Sequence, residues 1–158
     1  LVLNEVVEQT MLLLHNQKEF RQIQIVQNLD PALPPVLGDK NQLQQVLLNL
    51  SLNACEAMPH GGMLTITTHT NANGVLLTVQ DTGGGIAAKD IEKIFDPFFT
   101  TKPVGKGTGL GLSVSYGIVQ SHNGTITVCS EEKEGTTFTV FLPFHSIHPA
   151  SSDNGETR

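Results

Sequence analysis

The amino-acid sequence predicts an α+β two-layer sandwich: a mixed, mostly antiparallel sheet of about five strands, with three main helices packed on one face. Three observations predict it. Two pairs of alternating segments are joined by turn-forming residues, which favours hairpins over parallel crossovers. Other stretches repeat apolar residues at helical spacing. No internal repeat or linker interrupts the 158 residues, a length that suits one ordinary domain.

Residues 4–20 place Val6, Val7, Met11 and Leu14 at helical spacing and predict the first helix. Arg21 to Leu29 alternates through Gln22, Ile23, Gln24 and Ile25 and reads as a strand, ended by Pro31, Pro34, Pro35 and Gly38. Asp39 with Gln42 three residues later resembles a capping box. A long helix should run from there to about Met58, stopped by Pro59, Gly61 and Gly62. Strands Met63–Thr70 and Val75–Asp81 follow, and the Asn73-Gly74 pair between them is a hairpin signal. A short helix near Lys89–Phe95 precedes an aperiodic stretch with Pro97, Pro103, Gly105 and Gly107. A second long helix is expected from about Thr108 to His122, with Gly124 placed to end it. Thr125–Ser130 and Thr136–Pro143 form a last hairpin around Glu131–Gly135. From about His145 the chain is polar, which predicts a disordered tail over 145–158 beside a single domain over 1–144.

Hydrophobic residues make up 39% and charged residues 15%, enough apolar matter for a real core and too little charge for wholesale disorder. Nine Lys plus Arg face 15 Asp plus Glu, a net charge of −6, which argues against a nucleic-acid binder held by phosphate contacts. Apolar runs such as Val75-Leu76-Leu77 are strand-sized and none approaches a membrane span. The chain begins at Leu1 without a charged-then-apolar leader and reads as a piece of something longer. Cys55 and Cys129 stand far apart without metal-site spacing and read as two thiols in a reducing compartment. The sequons at Asn49 and Asn123 read as chance.

On the long helix, steps of 100° bring Gln42, Gln45, Asn49, Asn53 and Glu56 into one narrow stripe, while Leu43, Val46, Leu47, Leu50 and Ala54 fill much of the rest. The wet side of an amphipathic helix explains such a stripe. A solvent face, however, usually carries Lys and Glu, and two carboxamides four residues apart suit a polar ligand better. An Asn oxygen can hold Mg²⁺ while phosphates and waters complete the octahedron. Strand parity puts Asp81 on the same face as Leu77 and Val79, so its carboxylate heads toward the apolar side and requires a hydrogen-bonding partner. The amino group of a purine would serve, and so would a simple turn cap. Gly83 and Gly85 would let backbone approach the ring.

Gly83, Gly85 and Ala88 also satisfy a dinucleotide fingerprint, but the following helix is short and no parallel strand comes after it. No Walker A loop occurs, because Gly105-Lys106 is followed by Gly107. Gly105, Gly107, Gly109 and Gly111 alternate with Lys106, Thr108 and Leu110 and lead through Leu112 into the second long helix. Glycines at a helix N-terminus expose N–H groups to an anion, which the helix dipole also favours. Lys102 and Lys106, with no acid between Pro97 and Leu112, make this stretch a basic, glycine-rich lid over a phosphate cradle. Phe95, Phe98 and Phe99 read as a satellite cluster that fixes the hinge of that lid.

Four segments in this order make the resemblance specific: Asn49-Leu-Ser-Leu-Asn53-Ala, Asp81-Thr-Gly-Gly-Gly85-Ile86, Phe95-Asp-Pro-Phe98-Phe-Thr-Thr-Lys102 and Gly107-Thr-Gly109-Leu-Gly111-Leu112. They resemble the N, G1, F and G2 boxes of the catalytic, ATP-binding domain of sensor histidine kinases, a branch of the GHKL superfamily with a Bergerat-type ATP-binding fold. Gly135-Thr136-Thr137-Phe138 is similar to the family's last, weaker box. The resemblance implies that Asn53 ligates Mg²⁺ and that Asp81 accepts from the adenine amino group, with Gly83, Gly85, Ile86, Phe98 and Thr136 around the base. It implies backbone contacts to the phosphates from Gly107, Thr108, Gly109, Leu110, Gly111 and Leu112. Lys102 and Lys106 would reach the phosphates from the lid, and Asn49 and Lys102 would act at the transferring group.

Two departures from the wider superfamily matter. Gyrase and the heat-shock ATPases carry at the position of Asn49 a Glu that activates water. An amide cannot accept that proton, so Asn49 favours phosphoryl transfer over hydrolysis. Many sensor kinases also place Lys or Arg where Glu56 stands. The phosphorylated histidine of this family lies on a separate helical domain, followed by Glu and, five residues after the His, by Pro. None of His15, His60, His69, His122, His145 and His148 has that context. The resemblance therefore implies a cytoplasmic domain that binds ATP and Mg²⁺ but cannot label itself. Its partners would be a His-bearing dimerisation domain and a response-regulator receiver domain. An ATP hydrolase of the same superfamily and a non-catalytic nucleotide-sensing module are the alternatives.

Overall fold

A computed structural model describes residues 1–97, 99 and 111–144. The elements run α1 (Leu3–His15), β1 (Ile23–Asn28), α2 (Lys40–Glu56), β2 (Gly62–Thr70), β3 (Gly74–Asp81), a short α3 (Ala88–Ile91), α4 (Gly111–Ser121), β4 (Thr125–Glu131) and β5 (Gly135–Pro143). The five strands form one sheet in the order β1-β2-β3-β5-β4. Only β1 and β2 pair in parallel, and the other three pairings are antiparallel. This is the two-layer α+β arrangement expected from the hairpins.

Alternation decides which face of each strand meets the helices. Leu64, Ile66, Val75, Leu77, Val79, Phe138, Val140 and Leu142 are buried, as are Val6, Val7 and Met11 of α1 and Val46, Leu47 and Leu50 of α2. They form one continuous core. The opposite sheet face is polar: Thr67, Thr78, Thr139 and Thr127 stand in register across four strands. Such β-branched residues favour the extended backbone without requiring a second helical layer.

Helix α2 starts as its sequence demands. Asp39 is extended and its Oδ1 accepts from the Gln42 N–H at 3.0 Å. The Asp39 N–H in turn donates to His122 Nε2 at 3.0 Å, and His122 Nδ1 lies 2.8 Å from the Ile118 carbonyl oxygen. Since a carbonyl only accepts, the ring proton sits on Nδ1, and His122 ties the start of α2 to the end of α4. Gly124 does not itself make the left-handed turn that closes α4. Asn123 adopts φ 60° there, its N–H donates to Gln120 and the Gly124 N–H to Val119, a Schellman closure one residue earlier than expected. Gly124 is needed for a different reason: a Cβ there would collide with the Phe141 carbonyl oxygen.

The first hairpin closes on Asn71, whose Oδ1 accepts from the Asn73 and Gly74 N–H groups at 2.8 and 2.9 Å. The first helix ends at His15, short of residue 20, and Lys18–Phe20 forms a separate 3₁₀ turn that buries Phe20. The polar tail from residue 145 lies outside the described residues, and among the described residues no helix is long and apolar enough to cross a membrane. Asp39→Ala should lower unfolding free energy by about 1 kcal/mol, the usual worth of an N-cap. Urea denaturation at neutral pH measures it, and an unchanged midpoint would contradict the capping role.

Candidate functional site

Three elements meet at one end of the helical layer. Helix α2 buries Val46, Leu50 and Ala54 and turns its carboxamides away from the core. Gln45 is exposed, while Asn49 and Asn53 are half-buried. The Asn49 amide is held on both sides: Gln45 Nε2 donates to its Oδ1 at 2.9 Å. Its Nδ2 donates to the Gly111 carbonyl at 3.1 Å and to Ser115 Oγ at 3.2 Å. Both Nδ2 hydrogens are engaged, so the amide cannot flip, and the free lone pair of Oδ1 is what remains for another group. Helix α2 is thereby tied to the first turn of α4.

One turn further on, Asn53 makes no side-chain hydrogen bond to any described residue. A half-buried carboxamide without a partner among the described residues is open to a ligand. Among the described residues no group of three His, Cys, Asp or Glu side chains could hold a metal ion. Asn53 therefore fits a cation that brings most of its own oxygen ligands.

Asp81 closes β3 with its side chain on the helix-facing side, only 3% exposed. Its Oδ1 accepts from the Gly83 N–H at 2.8 Å. Burial pushes the carboxyl above its ordinary value, opposed by the N–H groups of Gly83 and Thr136. The glycines after it are explained by neighbouring backbone. A Cβ on Gly83 would strike the Ala57 carbonyl, where α2 ends, and one on Gly85, at φ 75°, would strike the Glu131 carbonyl. The loop is thus wedged between the end of α2 and the β4–β5 turn. Gly84 adds its N–H to the Ala57 carbonyl and its carbonyl to the Lys133 N–H.

Thr136 stands opposite Asp81 in the β3–β5 register and is buried as well. Its neighbour across β4 is Ser130, whose Oγ lies 2.8 Å from Thr136 Oγ1 and accepts from the Ile86 N–H at 2.8 Å. Ser130 belongs to none of the motifs found in the sequence. The available signal was its parity with Ile126 and Val128, a polar residue at a core-facing position. Ser115, fully buried in α4, escaped notice for the same reason. A cavity of about 200 Å³ borders these strand ends, and Asp81, Ser130 and Thr136 line it together with Gln80, Glu131 and Glu134. Glu131 raises the carboxyl of Glu134, so the side of the cavity at these two glutamates is unsuited to a phosphate group.

The structure thus joins Asn49 to Gly111 on the α2–α4 side, with Asn53 one turn along α2 and Leu112 next to Gly111 in α4, and brings Asp81, Gly83, Gly85, Ile86 and Thr136 together at the strand ends. Leu112 is half-buried against the core. Phe95 anchors the segment after α3 by packing on Tyr116 and Phe138, with ring centroids 5.5 and 6.2 Å away. Phe98, Lys102, Lys106, Gly107, Thr108, Gly109 and Leu110 lie outside the described residues.

Because the folded chain holds the Asp81 proton more tightly than the unfolded chain, stability should fall as pH rises from the ordinary value of 3.8 through the raised one, then level off. Asp81→Asn keeps an oxygen for the Gly83 N–H and removes that titration. Urea midpoints across this window should lose that contribution in the variant, and an identical pH slope would refute it.

The family model of the histidine kinase-, DNA gyrase B-, and HSP90-like ATPases matches residues 38–146. The sensor histidine kinase ZraS of Escherichia coli (strain K12) is 43% identical over 141 residues, covering 89% of this chain and 30% of that protein. The chain thus spans about a third of the length of that relative. Its structure is similar to the nucleotide-free catalytic domain of the histidine kinase ThkA, with TM-score 0.80, 34% identity and coverage of 90% of this chain and 95% of that one. ThkA in complex with the response regulator TrrA gives TM-score 0.79 at 30% identity, over 94% of this chain and 42% of that one. The matched family, the relative and the shared fold agree, and the chain belongs to the histidine kinase-, DNA gyrase B- and HSP90-like ATPase family as a catalytic domain of the histidine kinase type.

Proposed function

We propose that this domain binds ATP with Mg²⁺ and presents the γ-phosphoryl group to a histidine on a separate dimerisation domain of its parent kinase. The observation that carries the reading is Asp81: a carboxylate buried on the helix-facing side, held by the backbone N–H groups of Gly83 and Thr136, at the start of a loop kept narrow by glycines. Asp81 accepts from the exocyclic amino group of adenine, with Gly83, Gly85, Ile86, Phe98 and Thr136 around the ring. Asn53 holds Mg²⁺, which neutralises phosphate charge when bound. Gly107, Thr108, Gly109, Leu110, Gly111 and Leu112 direct backbone N–H groups at the phosphates, joined by Lys102 and Lys106.

Asn49 favours transfer over hydrolysis. Its Nδ2 is engaged by α4 and its Oδ1 accepts from Gln45, so no basic group stands there to take a proton from water. Chemistry then consists of positioning and charge neutralisation. The incoming imidazole nitrogen forms the N–P bond, the bond to the β-phosphate oxygen breaks, and ADP leaves. The resulting phosphohistidine serves a response-regulator receiver domain, the partner class of the ThkA complex. The domain spans residues 1–144, followed by a polar tail over 145–158, and works on the cytoplasmic side, a reading that the family resemblance supports.

Asp81→Asn should weaken ATP binding by roughly ten- to a hundredfold, since the amide sets an N–H against the adenine amino group where a charged acceptor stood. Calorimetric titration with ATP and Mg²⁺ measures this, and unchanged affinity would refute the adenine assignment. Asn53→Ala should weaken ATP binding in Mg²⁺ but hardly in EDTA. Acid-labile phosphate should appear only when the His-bearing domain is supplied, and steady phosphate release by this chain alone would favour the hydrolase reading.

A further inference from the structure

Ser130 is the hub of the polar row at the strand ends. Its Oγ lies 2.8 Å from the Ile86 nitrogen, 2.9 Å from the Gly135 carbonyl oxygen and 2.8 Å from Thr136 Oγ1. An amide N–H can only donate, a carbonyl can only accept, and a serine has a single proton. With that proton on the Gly135 carbonyl, the hydroxyl of Thr136 must be the donor to Ser130. The reverse assignment would take this donor away from the carbonyl of a buried residue, which is unfavourable. Thr136 therefore has no proton left to offer a ligand, and its oxygen is an acceptor.

Asp81, directly opposite Thr136, is an acceptor too. Facing side chains on neighbouring antiparallel strands stand about 4.5–5.5 Å apart at Cβ. A ligand edge that carries an amino group meets an acceptor on each of these neighbouring side chains, and an oxo group in the same place would face only lone pairs.

We propose that Ser130 is a positioning residue that sets the base preference of the site: by taking the Thr136 hydroxyl proton it makes Asp81 and Thr136 an acceptor-only pair, which selects a 6-amino purine nucleotide over its 6-oxo counterpart. The inference rests on the reading of Asp81 as the base-contacting carboxylate and adds to it how the neighbouring hydroxyl is polarised.

Calorimetric titration of the whole chain with ATP and with inosine triphosphate, which differs only in carrying oxo for amino, tests it. The unaltered chain should prefer ATP. Ser130→Ala should reduce that preference about three- to tenfold, because the released Thr136 hydroxyl can turn and donate to the 6-oxo oxygen. Ser130→Thr, which retains a hydroxyl, should restore it. Thr136→Val should also reduce the preference, and adding Ser130→Ala to it should change the ratio no further. Equal weakening of both nucleotides by Ser130→Ala would make Ser130 a structural strut and overturn the proposal. If circular dichroism shows that Ser130→Ala does not fold, Thr136→Val decides alone, and an unchanged ratio overturns it. Failure of the underlying reading looks different: the unaltered chain binds neither nucleotide, or Asp81→Asn leaves both affinities untouched.

Discussion

The register between β3 and β5 is the constraint on which the site depends. It sets Asp81 opposite Thr136 and Val79 opposite Phe138, so a carboxylate and a hydroxyl continue the same inward-facing rows as the core. A slip of one residue would turn Asp81 outward and Gln80 inward, and with them every apolar side chain of the strand. Burial of Leu77, Val79, Phe138 and Val140 therefore holds the register, and the register places the polar pair. The core and the recognition chemistry are one pattern read at two positions along the same strands.

Polar groups at the strand ends are tolerated because each has an assigned partner. Asp81 has the Gly83 N–H, Ser130 has Ile86, Gly135 and Thr136, and the glycine loop is pinned to Ala57 and Lys133. A half-satisfied network in such a place would be worse than an apolar plug. Asn53 is a half-buried carboxamide without a side-chain partner among the described residues, one turn from an Asn49 whose amide is held from both sides. Rigidity of one carboxamide and availability of the next are complementary. The first fixes α2 against α4, and the second is left open to a ligand.

The helical layer carries a similar coupling at its other end. His122, near the end of α4, accepts from the N–H of Asp39, which itself caps α2. Helices α2 and α4 are thus tied near both ends of the described part of α4, by Asn49 at its first turn and by His122 just past its last. The segment that joins α3 to α4 departs from Phe95, packed on Tyr116 and Phe138, and rejoins at Gly111, held by Asn49. Both anchoring points thus rest on the elements that frame the site.

Much of this was legible in the chain by itself because it depends on near neighbours. Asp39 and Gln42 announce their own cap, and the polar run Asn71–Gly74 its own turn. Alternation around Leu77 and Val79 tells which way Asp81 points, and helical spacing gathers Asn49 and Asn53 into one stripe. These inferences need only the periods of strand and helix. Pairing across distance was not legible. The parallel partnership of β1 with β2, the hold of Asn49 on Ser115, the bridge from His122 to Asp39 and the hub at Ser130 join residues whose separation along the chain carries no periodic signal. Local geometry decided which residues could face inward. Only the packed sheet and helices decided which of them meet, because a hydrogen bond across the fold exists only once both of its ends have been brought to the same place.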